Sequence, residues 1–409
     1  MSANRLSWAR RSRLAFDAPG FSWLWLQSLF SSITWTLEIL TNGWLVLQLT
    51  DSPFWVGAVA ATRGIGLFVF SVPAGAITDR FDRRKLLVIT QLVPAAALTI
   101  LAPLAIHGAA RVWHVAVFSL IAGLSAAIDR PASSGLLYDL VGEERLLNAS
   151  VFRFMAGSLV RMFGAVAGGY VIDRLGIGQN YVLAGVAHLA AAGCIMAMRA
   201  PVSVKAVTQP LFDAVRDGFR YAVRTPQVRQ FLFLSLMTEG FGFSYNSMLP
   251  VMARDVLKVG ALGLGYLTAA SGIGQLCATV GLASRGDVAN KGRFTVMTSI
   301  GFGLAIALFG LSPWYPVSLA LMGLVGVMGS LYDAGMGTTL LLVASDAMRA
   351  RVQGFYSSTI GFNQVTGFGV GVIATLLGVP AALAISGSIA AASALALLPR
   401  MARRPPTAP

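Results

Sequence analysis

The chain has 409 residues, of which 56% are hydrophobic and only 12% are charged. A soluble globule of this composition would not stay in solution, so the balance predicts an integral membrane protein. The net charge of +14 does not indicate nucleic-acid binding, because the cytoplasmic loops of membrane proteins collect Lys and Arg.

Long apolar segments recur along the whole chain and are separated by short charged or proline-containing turns. Their length favours helices over barrel strands, and the backbone groups of a helix are hydrogen-bonded within the segment, as lipid requires. We predict an all-α bundle of twelve transmembrane helices. The predicted spans are 21–47, 54–77, 86–106, 112–136, 151–172, 178–198, 230–252, 262–283, 294–311, 315–342, 352–377 and 380–398.

Lys and Arg are distributed unequally over the connections. The even-numbered connections and the two tails hold 24 of them, with Arg145 and Arg153 counted in one loop, whereas the odd-numbered connections hold four. This asymmetry predicts that both termini are cytoplasmic. The arginine-rich start is followed by an apolar run without a small-residue cleavage site, so we interpret it as a cytoplasmic tail and not as a signal peptide.

The one long connection, 199–229, divides the spans into six and six. Within it, the apolar positions of 211–223 share one helical face, which predicts a short helix on the inner membrane surface. The predicted domains are therefore an N-terminal six-helix half with its tail (1–198), a cytoplasmic linker (199–229), and a C-terminal six-helix half with its tail (230–409).

A compact charged turn follows the second span and reads Gly75-Ala-Ile-Thr-Asp-Arg-Phe-Asp-Arg-Arg-Lys-Leu-Leu87. It resembles the signature of the major facilitator superfamily, G-x-x-x-D-R-x-G-R-R-x-x-[LI]. Asp82 replaces the usual glycine, a form similar to that of the drug and siderophore exporters, which include macrolide-efflux and enterobactin-export proteins. A degenerate copy at 281–293 supports two related halves.

The resemblance implies a monomeric, multi-pass transporter of the bacterial inner membrane. It would export an amphipathic small molecule, a drug or siderophore, by alternating access in exchange for protons. The alternatives are a facilitator or importer of a metabolite, a lipid-translocating protein and a membrane enzyme. Two positions depart from the antiporter signatures: Ala165 replaces a proline that would kink the fifth helix, and Ser119 replaces an arginine associated with proton coupling.

The charged turn is expected to act as a conformational latch, in which Asp79 pairs with an arginine or meets a helix N-terminus in one conformation only. The alternative is that its charges only anchor the topology. The residues of the predicted latch are Gly75, Asp79, Arg80, Arg83, Arg84 and Lys85.

Charges inside spans are costly in lipid and therefore mark function or pairing. Glu38 shares a polar helical face with Gln27, Ser31 and Thr34. Its depth in the first span matches that of Arg63 in the second, so we predict that Glu38 and Arg63 approach each other. The pair is either a titratable element of transport or a structural ion pair.

Five further charges lie in other spans. Asp129 and Arg161 have similar depth and are predicted to form a bridge, leaving Arg130 free to face the inner vestibule. Glu239 and Asp333 have no arginine in their own or adjacent spans. As lone carboxylates they would carry a proton or bind a cationic group of the substrate.

Metal, cofactor and enzyme chemistry are not expected. His107, His114 and His188 are assigned to outer span ends without convergent ligands. Cys194 and Cys277 lie in apolar spans and form no disulfide framework. The chain lacks a G-x-x-x-x-G-K-[ST] loop, so ATP is not expected to be the energy source.

Overall fold

The computed structural model describes residues 15–198, 211–285, 288, 290–345 and 348–402. It does so without the side chains of Val72, Ala76, Asp79, Glu143, Glu144, Leu147, 211–215, Ala283, Arg285, Ala350 and 400–402. The predicted arginine-rich tail lies outside these residues. The described chain is almost entirely helical. The helices are α1 Phe21–Thr50, α2 Pro53–Arg80, α3 Arg83–Ile106, α4 Val112–Gly142, α5 Asn148–Arg174, α6 Ile177–Ala197, α7 Leu211–Arg224, α8 Pro226–Met237, α9 Tyr245–Val251, α10 Gly260–Arg285, α11 Lys291–Leu311, α12 Tyr315–Val343, α13 Arg349–Leu377 and α14 Val379–Ala402.

The all-α membrane fold is confirmed, and each of the twelve predicted spans lies on a helix or on the α8–α9 pair. Among the described residues, nine helical segments are long and apolar enough to cross a membrane. The other three spans are α1, the α8–α9 pair and α10. Helix α1 carries the polar face noted above, α8 and α9 are short, and α10 is rich in glycine, so their composition weakens the membrane signal.

Helices α4 and α5 form one continuous helical stretch that bends at Gly142. This residue has φ 69° and ψ 177°, which is not helical, and only glycine adopts it without strain. No backbone break occurs at Ala165, in the middle of α5. The bend therefore separates the fourth span from the fifth without a loop.

The seventh span is interrupted twice. After α8, residues Thr238–Gly242 form a π-helical turn, and after α9, residues Met252–Val256 form another. Wide turns of this kind are frequent at functional sites. The first of them contains Glu239.

The two halves meet along α2 with α13 and along α5 with α10. Glycines permit this close approach: a Cβ on Gly57 would lie 2.5 Å from the Gly367 carbonyl oxygen, and one on Gly265 would lie 2.6 Å from the Ala165 carbonyl oxygen. Small residues at crossings are the usual means by which helices associate in lipid.

We call the end of the molecule that carries the Gly75–Leu87 turn the motif end, and the opposite end the far end. At the far end, one buried apolar cluster includes Leu47 of the first half and Met252 of the second. At the motif end each half has its own cluster, which includes Leu87 in one half and Leu340 in the other. The halves therefore share a core at the far end and have separate cores at the motif end.

Helix α7 falls where the sequence predicts a helix in the linker. Its placement on the membrane surface and the division at 199–229 stay predictions.

Replacing Gly142 tests the bend. Gly142→Ala is expected to lower stability by about 1 to 3 kcal/mol, because alanine is strained at this φ and ψ. The readout is the melting temperature of the purified protein in detergent. Gly193→Ala is the matched control, since a Cβ there meets no atom within 4 Å and alanine favours the helix. Equal melting temperatures for the two variants would contradict the assignment.

Candidate functional site

Glu38 and Arg63 form a buried ion pair between α1 and α2. Arg63 Nη1 lies 2.8 Å from Glu38 Oε2, and the two side chains are 6% and 2% exposed. The pairing predicted from their depth is therefore present. The Arg63 guanidinium also lies 4.2 Å from the centre of the Trp35 ring, a cation–π contact. Whether the pair takes part in transport stays a prediction.

His188 of α6 contacts the second carboxylate oxygen of Glu38, a contact that the sequence analysis does not predict. Its Nε2 lies 2.7 Å from Glu38 Oε1, and its Nδ1 lies 2.8 Å from Gln91 Oε1. The assignment of His188 to an outer span end is wrong, because the residue falls in the middle of α6 and is buried. The available signal was a histidine at the centre of an apolar span.

Asp129 faces α3 and does not bridge to Arg161. Its Oδ1 accepts hydrogen bonds from Gln91 Nε2 at 3.0 Å and from Thr90 Oγ1 at 3.3 Å. Arg161 instead donates to Asn246 Oδ1 at 3.1 Å, across the boundary between the halves. The predicted bridge is wrong because equal depth does not place two side chains on facing sides of their helices.

Arg153 interacts electrostatically with Asp129. The sequence analysis counts Arg153 with the loop cations, but the residue lies within α5. Its guanidinium donates to Ser28 Oγ at 2.9 Å and to Ser133 Oγ at 2.7 Å. Sequence reasoning therefore missed a cation that belongs to the interior of the first half.

The carboxylates of the second half are not isolated. Glu239 is 2% exposed and interacts electrostatically with Asp333 and with Arg130 of the first half. Asp333 interacts electrostatically with Arg161 and lies near Tyr356. The arginines that interact with these carboxylates come from the opposite half and not from adjacent spans, and a transport role for Glu239 and Asp333 stays a prediction.

A cavity of about 930 Å³ lies against these groups. It extends from Trp35 and Arg130 to Tyr138 and Leu146, beside the α4–α5 bend at the motif end. Its lining residues are Gln27, Ser28, Ser31, Ser32, Trp35, Thr36, Asp129, Arg130, Ser134, Gly135, Leu137, Tyr138, Leu146, Ser150, Arg153, Phe154, Gly157, Ser158, Arg161 and Gln275.

The cavity lining is cationic and amphipathic. It contains three arginines and one carboxylate, Asp129, which already accepts two hydrogen bonds. Trp35 presents its ring to the Arg130 guanidinium at 5.4 Å, and several serine hydroxyls supply further donors and acceptors. Such a lining suits a bulky ligand with anionic, hydroxyl-bearing and aromatic parts.

Two of the predicted latch residues, Arg83 and Arg84, hold the motif end of the first half together with their neighbour Asp82. Asp82 caps α3 by accepting from the backbone N–H of Arg84 at 2.8 Å, which gives the departure from glycine a physical role. Arg83 pairs with Asp139 of α4 at 2.6 Å, and Arg84 Nε donates to the Ile195 carbonyl at the end of α6 at 3.0 Å.

The remaining predicted latch residues contribute fewer contacts to the motif end. Arg80 and Lys85 are exposed, and Gly75 leaves space for a Cβ without contact. The side chain of Asp79 lies outside the described part of the chain. The latch stays a prediction.

Arg254, which follows α9, contacts the first half at the far end. Its Nη1 lies 2.8 Å from Asp51 Oδ1 and 3.0 Å from the Leu47 carbonyl oxygen, both at the end of α1. Arg254 therefore joins the two halves at the end opposite the cavity.

Comparison with known proteins gives a consistent picture. A family model described as "Transmembrane secretion effector" matches residues 12–406. The enterobactin exporter EntS of Escherichia coli O1:K1 is 25% identical over 405 residues, which cover 97% of this chain and 93% of that protein. EntS of Shigella boydii serotype 18 matches with the same values.

Solved structures show the same fold. The nucleoside transporter NupG superposes with a TM-score of 0.72 at 16% identity, covering 94% of this chain and 100% of that one. A peptide transporter POT in complex with sulfate superposes with a TM-score of 0.74 at 15% identity, covering 96% and 99%.

A double-mutant cycle tests the buried pair. Glu38→Gln or Arg63→Gln alone is expected to lower stability by about 3 kcal/mol, because each leaves a buried charge without its partner. The double variant should lose less than the sum of the two, as contacting residues do. Melting temperatures in detergent give the comparison. Strictly additive losses would contradict a direct interaction.

Proposed function

We propose a function for this chain, which belongs to the transmembrane secretion effector family of the major facilitator superfamily and is a multi-pass membrane transporter. The protein exports an anionic, amphipathic small molecule in exchange for protons. Transport proceeds by alternating access in a monomer of the bacterial inner membrane, with both termini in the cytoplasm. A siderophore-like compound fits this class, since the relatives named above are enterobactin exporters.

The cationic cavity carries this proposal. Arg130, Arg153 and Arg161 line it together with a single engaged carboxylate, so an anionic ligand is favoured over a cationic drug. Trp35 and the serine hydroxyls provide contacts for an aromatic, hydroxyl-bearing body. A volume of about 930 Å³ accommodates a large drug-sized molecule.

Binding of an anion would directly affect the electrostatic attraction between the two halves. Arg130 and Arg161 interact electrostatically with Glu239 and Asp333 of the opposite half. A bound anion would compete with these carboxylates for the arginines and so weaken attraction between the halves. A ligand shifts a conformational equilibrium only through such a difference in interaction between states.

The arrangement of the two ends is the one in which an exporter would receive its substrate. The cavity extends to the motif end, which the excess of Lys and Arg assigns to the cytoplasm, whereas Arg254 and Asp51 close the far end. This is a state ready to receive substrate from the cytoplasm. The latch at Asp79, Arg83 and Arg84 would hold the motif end in one conformation of the cycle.

The basic lining also suits the headgroup of an anionic phospholipid, which makes lipid translocation a second candidate. The two candidates differ in cargo and not in fold, so one transport experiment separates them.

The transport experiment uses iron-free enterobactin. Cells that express the chain are expected to release it faster than cells without the gene, and an uncoupler should abolish the difference. Arg130→Gln should reduce the rate by about tenfold or more, since a charged hydrogen bond is worth about 1.5 to 3 kcal/mol. Arg174→Gln, at an exposed arginine outside the cavity, is the control.

Three results would overturn parts of this proposal. Export that ignores the uncoupler would exclude proton exchange and favour a facilitator. Export of a cationic dye without export of enterobactin would exclude anion selectivity. Gene-dependent movement of a fluorescent anionic phospholipid, without release of enterobactin, would identify a lipid translocator.

A crosslink at the far end tests alternating access. Asp51→Cys and Arg254→Cys are introduced into a variant in which Cys194 and Cys277 are replaced by alanine. A short thiol-specific crosslinker should abolish export, because the far end can then no longer open. The single-cysteine variants, treated in the same way, should continue to export. Full export by the crosslinked protein would contradict the model.

A further inference from the structure

A chain of buried hydrogen bonds links Glu38 to Asp129 through two side chains that no predicted mechanism uses. Glu38 Oε1 lies 2.7 Å from His188 Nε2, His188 Nδ1 lies 2.8 Å from Gln91 Oε1, and Gln91 Nε2 lies 3.0 Å from Asp129 Oδ1. Glu38, Gln91 and His188 are 1%, 3% and 5% exposed. Solvent therefore cannot substitute for a missing donor.

The orientation of the Gln91 amide is fixed by its neighbours. Its NH₂ group donates to Asp129 and to Ser31 Oγ at 3.0 Å. The reversed amide would turn its oxygen towards the Asp129 carboxylate, placing two acceptors against each other. The Gln91 oxygen consequently faces His188, and His188 Nδ1 must carry the hydrogen that it donates.

The contact between His188 and Glu38 then requires one more proton. With Nδ1 protonated, a neutral imidazole has only a lone pair at Nε2, which would face a carboxylate oxygen at 2.7 Å. The geometry is satisfied when a proton lies between them, either on Nε2 of an imidazolium or on Glu38 Oε1. The other Glu38 oxygen already accepts from Arg63.

We infer that His188 is the proton-binding residue of this transporter and shares the transported proton with Glu38. The transfer moves one proton from His188 Nε2 to Glu38 Oε1, which converts an imidazolium and a carboxylate into a neutral pair. This inference rests on the proposed proton exchange and assigns it to a site. It also gives Gln91 a role, which is to fix the tautomer of His188.

The charged and titratable groups around this site belong to several helices. Arg63 approaches Glu38 from α2. Asp129 of α4 acts on His188 through Gln91, with Arg153 of α5 beside it. Tyr181 of α6 interacts electrostatically with Glu38. The proton therefore occupies a site in which one cation, Arg63, contacts the carboxylate that shares it.

The site has polar neighbours in both directions. Towards the cavity, Asp129 and Ser31 contact Gln91 and line the cavity themselves. Towards the far end, Thr41 follows Glu38 on α1 and accepts from Asn180 at 2.5 Å. Polar side chains on both sides are what exchange of a proton with either compartment requires.

Loss of the proton changes the packing of the site. The two acceptors, His188 Nε2 and Glu38 Oε1, would then repel each other at their present separation. Either α6 and α1 must shift locally, or His188 or Glu38 must bind a proton again. Occupancy by a proton thus favours the packing seen in this structure, which is the differential interaction that coupling needs.

The first test measures protonation directly and needs no transport substrate. The protein contains three histidines, so ¹⁵N-histidine NMR in nanodiscs resolves few signals, and His188→Gln assigns one of them. At neutral pH we expect both His188 ring nitrogens to be protonated in the wild type. In Glu38→Gln only Nδ1 should be protonated, because the acid partner is gone. His107→Gln should leave the His188 signals unchanged.

The second test separates proton coupling from substrate movement. Proteoliposomes loaded with iron-free enterobactin are assayed for exchange of labelled compound and for accumulation driven by a pH difference of one unit. Such a gradient sustains about a tenfold concentration ratio in a one-to-one exchange. We expect His188→Gln to retain exchange and to lose the tenfold accumulation, while His107→Gln retains both.

The outcomes separate this inference from the proposed function. A neutral His188 in the wild type between pH 5 and 9, or gradient-driven accumulation retained in His188→Gln, would overturn the assignment of the proton to His188. Exchange without accumulation in the wild type would overturn proton exchange itself, and with it the coupling role, even if His188 were protonated. Loss of exchange in His188→Gln would indicate a structural role instead.

Discussion

Neutralising charge inside a low-dielectric bundle is the constraint on which this structure depends. The Glu38–Arg63 pair, with side chains 2% and 6% exposed, is tolerable only because each group has a partner of opposite charge or a hydrogen-bond donor. Glu38 also contacts His188, so α1, α2 and α6 are held together by one carboxylate. The packing of the first half around its polar interior follows from this contact.

The same constraint distributes charge between the halves. The cations that line the cavity, Arg130, Arg153 and Arg161, belong to the first half, whereas Glu239 and Asp333 belong to the second. Arg130 and Arg161 interact with these carboxylates of the opposite half, so electrostatic attraction acts between the halves. In the proposed mechanism, an anion that enters the cavity would change this attraction directly, so binding and rearrangement would be coupled without a further residue between them.

Sequence reasoning succeeded where position along the helix axis was enough to predict the structure. Spans follow from apolar length, and Glu38 and Arg63 follow from equal depth in neighbouring helices. It failed where rotation of a helix about its axis mattered: Asp129 faces Gln91 and not Arg161, and Arg161 reaches Asn246 in the other half. Contacts between halves join residues far apart in sequence, and a single chain carries no pattern that encodes them.

Trp35 connects the buried pair to the cavity. Its ring lies 4.2 Å from the Arg63 guanidinium and 5.4 Å from that of Arg130, and Trp35 itself lines the cavity. Two cations near one ring repel each other, so the position of each depends on how strongly its own anion holds it. A change of charge at Glu38 alters the hold on Arg63 and hence the field at Arg130. In the proposed mechanism, proton occupancy and anion binding would thereby be linked through Trp35, and linkage between two sites is reciprocal.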